Sequence, residues 1–205
     1  MERAPFLVLG LAGGIGSGKS AVAGILKQMG YVVSDSDAQA RAVLERPEVI
    51  AELVRTLGPG VVDAQGRPDR RAIADLVFAD ADKRAALEAI VHPRLHRDRA
   101  ELIARARAQG APGVVIDAPL LFEAGVDAEC DAVLFVDSPR QARLQRVMAH
   151  RGWSAEELAR REAAQMPLDE KRRRSDVVIV NDGDLERLRQ RVARALAELQ
   201  ARSRR

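Results

Sequence analysis

A chain of 205 residues can bury one sizeable core with modest insertions, and its 47% of hydrophobic residues include no apolar run of about 18 that could cross a membrane. The single Cys130 excludes an internal disulfide and, with only three histidines in the chain, leaves no zinc constellation; 3% of aromatic residues argue against a stacking platform for single-stranded nucleic acid. The net charge of +3 rests on 29 arginines against four lysines; guanidinium forks suit phosphate oxygens, yet an Arg-rich composition also follows from base bias, and here the two signs interleave. The opening "MERAPFLVLGLAGG" lacks a basic stretch and a cleavage site before its strand-like part, so a soluble, untargeted protein of the reducing cytoplasm is expected.

Five short apolar runs are predicted as strands: 6–11, 31–33, 114–116, 133–136 and 177–180. They are continuous rather than alternating and are separated by helical patterns, which predicts an α/β fold with a parallel sheet covered on both faces. The first run breaks into "GGIGSGKS", residues 13–20, a full match to G-x-x-x-x-G-K-[ST] placed after a strand and before a helix. Glycines there let successive amides turn inward, and the following helix adds its unsatisfied N–H groups and positive dipole end. Gly14, Ile15, Gly16, Ser17, Gly18 and the Ala21 amide are expected around the phosphates of a nucleoside triphosphate. Lys19 would bridge the β- and γ-phosphates and the Ser20 hydroxyl would ligate Mg²⁺.

The second run is followed by "SDSDAQAR", with Asp35 and Asp37 two residues apart. On an extended tip they point the same way, toward the strand ends where ligands of such sheets bind, and one could act as a base or orient Mg²⁺. Both also read as helix caps. Residues 38–109 carry helical periodicities (Ile50, Leu53, Val54, Leu57, then Ile73, Leu76, Val77) broken by "LGPG" and "AQGRPD", and read as an inserted helical subdomain. In "DSPRQAR", Ser138 is predicted to cap a helix with Pro139 at its first position. In "GWSAEELARREAAQMP", Ser154 and Glu157 match a capping box and Pro167 a stop, so two helices joined near Gly152 form a hairpin. Residues 185–199 place Leu185, Leu188, Val192, Leu196 and Leu199 on one face of a closing helix, and the tail "ARSRR" is expected to fray. The sole asparagine, Asn181, precedes Asp182 and Gly183, so no Asn-Lys-x-Asp guanine reader is present.

The stretches "GLAGGIGSGKS", "DSDAQAR", "IVHPRL", "DAPLLFEAG" and "AAQMPLDEKRRRSDVVIVNDG" resemble, in order and spacing, those of bacterial dephospho-coenzyme A kinases, over nearly the whole chain. The loop alone is common; "PLLFE" followed by "QMPLDEKRRRSD" is far more specific. The resemblance implies a P-loop kinase with a five-stranded parallel core (1–37, 110–139 and 175–205), a helical coenzyme A-binding insertion (38–109) and a helical lid (140–174). It implies transfer of a phosphoryl group from MgATP to the ribose 3′-hydroxyl of dephospho-coenzyme A, the last step of coenzyme A synthesis. By position, Asp37 then matches the general base. Arg41, His92 of the "HP" pair with Pro93, and Pro119, Leu120, Leu121 and Glu123 would meet the acceptor. Asp117 would be the strand-end carboxylate near Mg²⁺, Arg146 the lid arginine reaching ATP phosphates, and Asn181 with Gly183 the segment beside adenine. Alone, a His before Pro reads as a loop or cap residue, Asp117 as a strand end, Arg146 as a solvated helix face and Asn181 as a turn. ATP and dephospho-coenzyme A are the partners expected, with no nucleic acid, no membrane and a monomer as the unit.

Two departures from the resemblance stand out. Ala21 replaces the usual threonine after "GKS", where a backbone amide is the contact expected. His150 stands where a second lid arginine is usual, with Arg151 next; one residue of displacement rotates a side chain about 100° around a helix, so whether Arg151 takes over is open. Two other readings remain on residues alone: a kinase of the same core acting on a nucleoside, nucleotide or small metabolite, and a nucleotide-dependent regulatory or RNA-binding protein.

Overall fold

The computed structural model describes residues 5–202. The first four residues of the segment read as untargeted, and the last three of the tail expected to fray, lie outside them. Strands β1 (Leu7–Gly13), β2 (Val32–Asp35), β3 (Gly113–Asp117), β4 (Ala132–Asp137) and β5 (Val177–Val180) form one sheet in the order β2-β3-β1-β4-β5, every neighbouring pair parallel. The helices are α1 (Lys19–Gln28), α2 (Ser36–Leu44), α3 (Pro47–Leu57), α4 (Arg70–Ala79), α5 (Ala81–Ala108), α6 (Arg140–Arg151), α7 (Ala155–Ala163), α8 (Leu168–Arg173) and α9 (Leu185–Arg202). Each predicted strand is present. Among the described residues no helix is long and apolar enough to cross a membrane.

β1 is buried along its whole length at the sheet centre, which is why its sequence shows no polar alternation. Leu7, Leu9 and Leu11 join Val22, Ile25 and Leu26 of α1 and Leu188, Val192, Leu196 and Leu199 of α9 in one apolar cluster. Leu185, predicted on the same stripe, is exposed because it is the first residue of α9.

Two aspartates pin the sheet register. Asp131 accepts from the Val8 amide (2.7 Å) and donates its own amide to the Val8 carbonyl (2.8 Å); Asp176 does the same with Val133 (2.7 and 2.9 Å). Each sits one residue before a strand. The pairing Leu9↔Ala132 and Leu134↔Val177 follows directly, and a slip by one residue would turn every side chain of β4 or β5 to the wrong face.

The chain forms two compact units, one made of the residues up to Asp35 and from Ile103 on, the other of Ser36–Leu102. Residues 140–174 therefore belong to the sheet-bearing unit. The second unit has an apolar core of its own, with Val43, Val49, Leu53, Leu57, Ile73, Ile90 and Val91 buried, and Asp69 caps α4 by accepting from the Arg71 and Ala72 amides at 3.0 Å each. His92 and Pro93 lie inside α5, not in a loop or cap. Proline in a helix interior costs roughly 3 kcal/mol, and burial of Ile90 and Val91 before it, with Leu95 packed against the same core after it, offsets that cost.

Candidate active site

β1 ends at Gly13 and α1 begins at Lys19, so the chain must reverse between them in five residues. Gly16 (φ +75°) and Gly18 (φ +98°) make the reversal in the left-handed region, and neither could carry a side chain. A Cβ at 16 would lie 2.8 Å from the Arg143 carbonyl oxygen, and one at 18 would lie 2.2 Å from the Asn181 amide nitrogen.

The loop is held by its carbonyls. Asn181 Nδ2 donates to Ser17 O (2.7 Å), Arg146 donates to Gly16 O (3.0 Å) and Ser17 O (3.2 Å), and Arg143 donates to Ile15 O (3.3 Å). Peptide planes whose oxygens are drawn to one side present their N–H groups on the other. The amides of Ile15, Gly16 and Gly18 have no backbone acceptor among the described residues, whereas Ser17 N bonds Gly14 O (3.1 Å) and Ala21 N bonds Gly18 O (3.0 Å) within the first helical turn. The Ser17 hydroxyl is buried with no partner among the described residues, an orphan polar atom inside a cradle of donors. Such a loop is built for a polyanion.

Lys19 reaches back along the loop, its Nζ 3.1 Å from Gly13 O and 3.5 Å from Gly14 O. Burial lowers its pKa from 10.5 to about 8; the nearby Asp117 carboxylate opposes this, while Lys171, Arg151 and Arg143 add to it. Asp117 ends β3, with Asp35 at the end of β2 as its register partner. Ser20 is exposed at the start of α1. Among the described residues no three His, Cys, Asp or Glu side chains form a metal cluster.

Several expectations change here. Ser138 does not cap α6, whose N-cap is Pro139 without a side-chain bond; the Ser138 hydroxyl instead donates to Asn181 O (2.9 Å) and accepts from Arg146 (2.9 Å). Only half of the capping box forms: Ser154 accepts from Glu157 N (3.2 Å), but the Glu157 carboxylate is taken by Arg160 and Arg161. Asp35 and Asp37 do not share an extended tip. β2 ends at Asp35 and α2 begins at Ser36, so Asp37 stands exposed in the first turn of α2, where the helix dipole favours a carboxylate. Asp37, Arg41 and His92 are all exposed on helices of the second unit. The first unit brings together Lys19, Arg146, Asp117 and Asn181 with the loop. Pro119 and Leu120 are exposed after β3, but Leu121 is buried against β1 at Gly10.

Sequence reasoning passed over Arg143 and Lys171. Arg143 is buried, donates to Ser138 O and pairs with Glu162. Nothing in its sequence context separates it from the other arginines. Lys171, 2% exposed, donates to Glu123 (2.9 Å) and Gln165 (3.2 Å). Glu123 also accepts from the Met166 amide (2.9 Å). Burial pushes the Glu123 carboxyl up, but the Lys171 ammonium and the Met166 N–H outweigh it and hold it below the usual range. The pair fastens the "PLLFE" loop to α8, and the Met166 amide ties it to the segment just before that helix. Lys171→Met strands the Glu123 carboxylate and is expected to cost about 3 kcal/mol, the low end of the range for breaking a buried pair because Glu123 is partly solvated. Glu123→Gln, which keeps an acceptor, should cost less. Urea denaturation checks both, and a Lys171→Met loss under about 0.5 kcal/mol would show the pair to be idle.

A family model described as dephospho-CoA kinase matches residues 7–187. A Deinococcus radiodurans protein named dephospho-CoA kinase is 46% identical over 192 residues, 94% of this chain and 92% of that protein. A crystal structure from Thermus thermophilus superposes with a TM-score of 0.82 at 44% identity, over 97% of this chain and 99% of that one. The dephospho-CoA kinase from Campylobacter jejuni, 22% identical, has the same fold, with a TM-score of 0.71 over 96% of this chain and 98% of its own.

Proposed function

The chain belongs to the dephospho-CoA kinase family, and on that premise we propose how its residues divide the transfer of a phosphoryl group from ATP to the ribose 3′-hydroxyl of dephospho-coenzyme A. The observation that carries the reading is the loop of residues 13–20, whose carbonyls are bound by Asn181, Arg146 and Arg143 and whose amides are left for phosphate oxygens. Ile15, Gly16, Gly18 and the orphan Ser17 hydroxyl take the β- and γ-phosphates, and Lys19 follows the charge as it moves to the leaving oxygen. Arg146 and Asn181 keep the cradle in shape, which is a role in transition-state positioning even though both bond protein oxygens here.

Mg²⁺ bound to the nucleotide would be held by the Ser20 hydroxyl and Asp117, neutralising phosphate charge; an ion that keeps waters and phosphate oxygens as its other ligands needs no protein cage. Asp37 is the base for the 3′-hydroxyl. Arg41, His92, Pro119, Leu120 and Glu123 serve the acceptor, α6 to α8 act as a lid, and the working unit is a monomer in the cytoplasm, where the Cys130 thiol stays reduced.

A coupled assay with purified protein, ATP and a panel of acceptors tests the reading. Turnover is expected with dephospho-coenzyme A, to vanish with EDTA and to return with Mg²⁺. Equal or faster turnover of a nucleoside or a small metabolite would move the chain to another acceptor class.

A further inference from the structure

The stretches "PLLFE" and "QMPLDEKRRRSD", far apart in the chain, are partners in the fold. Residues 119–125 form a turn closed by its own backbone, with Ala124 N bonding Leu120 O and Val126 N bonding Leu121 O, each at 2.9 Å. Leu121 and Phe122 are buried and seat it on the core. α8 and the residues before it grip this turn from the side. Lys171 Nζ and the Met166 amide both donate to Glu123 Oε1 at 2.9 Å, and Gln165 accepts a second bond from Lys171 at 3.2 Å. Three residues on, the Arg174 guanidinium lies 4.6 Å from the centre of the Phe122 ring and pairs with Asp127 at 2.7 Å.

The other end of α8 rests on the phosphate loop. A Cβ on Gly14 would stand 3.3 Å from Leu168 Cδ1, and Leu168 lies about one helical turn before Lys171. α8 therefore spans from the loop after β1 to the turn after β3, inside the sheet-bearing unit. An ammonium that is 2% exposed is a costly way to fasten a turn, since a well-packed apolar pair of similar volume often holds as well or better. What the ion pair adds is a fixed distance and direction between its partners, because charge-assisted hydrogen bonds are short and oriented.

We propose that Lys171 is a positioning residue for phosphoryl transfer: by holding Glu123 it sets the turn that carries Pro119 and Leu120 in fixed register with the phosphate loop on which α8 rests. Glu123 then serves the acceptor through the turn, its carboxylate being taken by Lys171 and the Met166 amide. The proposal rests on the reading of Pro119 and Leu120 as contacts of dephospho-coenzyme A.

Lys171→Met, assayed where thermal melts show it folded, is expected to lower kcat/KM for dephospho-coenzyme A about 10- to 100-fold while KM for ATP stays within about threefold. A misplacement of about 1 Å is enough to cost 10²-fold when two reacting groups must meet, and the phosphate cradle itself is untouched. Glu123→Gln, which keeps an acceptor for the Met166 amide, should lose about 3- to 10-fold in the same parameter. Arg174→Ala cuts the second tie at a partly exposed side chain and should lose a similar amount. Arg173→Ala, exposed and paired with Glu170 within α8, should leave both parameters within about twofold. A folded Lys171→Met whose kcat/KM for dephospho-coenzyme A stays within threefold of the parent overturns the proposal, as does a KM for ATP that rises as much as the acceptor parameter falls. If Lys171→Met does not fold, Arg174→Ala decides, and activity retained within twofold there overturns the proposal. Leu120→Ala separates the two levels: an unchanged KM for dephospho-coenzyme A removes the acceptor contact itself, whereas a raised KM beside a silent Lys171→Met keeps the contact and removes Lys171.

Discussion

Asp37→Asn is expected to lower kcat by about 10²- to 10⁴-fold, the ordinary worth of general-base assistance, or roughly 3 to 5 kcal/mol of transition-state stabilisation. A ribose hydroxyl is a poor nucleophile and needs a proton acceptor as the bond to phosphorus forms. The asparagine keeps the shape and removes only the basicity. Because Asp37 is exposed in the first turn of α2, the fold should lose no more than the dipole contribution of about 0.3 to 1 kcal/mol. Affinities for MgATP and dephospho-coenzyme A should stay within about tenfold, and removal of a negative charge could tighten both polyanions. Asp35→Asn is the companion variant, with a smaller loss expected from a residue at the β2 end beside Asp117. Steady-state kinetics with equilibrium binding decide the assignment: kcat retained within threefold removes Asp37 as base, and activity rescued by high magnesium makes it a group of the metal shell.

Lys19→Met should abolish transfer, with kcat/KM down about 10³-fold or more, because it deletes the charge that lies along the loop where the phosphates would bind. The same substitution should leave the protein folded and no less stable. In the folded state Lys19 titrates at about 8 against 10.5, so at neutral pH its charge opposes folding. Between those values the unfolded chain binds the extra proton, and parent stability should rise as pH climbs from about 8 toward 10.5; Lys19→Met should lack that rise. Nucleotide binding runs the other way. Only the ammonium form attracts phosphate, so affinity for MgATP should be flat below pH 8 and fall about tenfold by pH 9 in the parent alone. Titration calorimetry between pH 7 and 9.5 and thermal melts over the same range check both slopes. A parent affinity that does not change across pH 8 would mean that Lys19 stays charged there.

The phosphate loop, the parallel sheet and the closing helix were all legible in the residue order, because each rests on a local pattern: glycines at fixed spacing, continuous apolar runs, and a 3.6-residue stripe. The helices of residues 38–109 were legible for the same reason, although the "HP" pair broke the pattern and only burial of Ile90, Val91 and Leu95 shows why α5 runs through it. An Asp-Ser-Asp run suits an extended tip as well as a helix start, so residue order alone does not place the boundary between β2 and α2.

What tertiary structure alone decided is the choice among identical side chains. Nothing local distinguishes Arg143 from the other arginines of a chain that holds 29, and Arg146 stood out only through the resemblance. Arg143 acquires its role from Ile15, 128 residues away, and Asn181 from Ser17, 164 residues away. Ser138 likewise left the cap that its sequence offered, because Asn181 O and Arg146 gave a buried hydroxyl both an acceptor and a donor. Local sequence determines which backbone conformations are available, since sterics and periodicity act over a few residues. Which polar side chain serves which group is set by the cost of leaving a buried donor or acceptor without a partner, and the partners are brought within reach only when the sheet closes in the order β2-β3-β1-β4-β5.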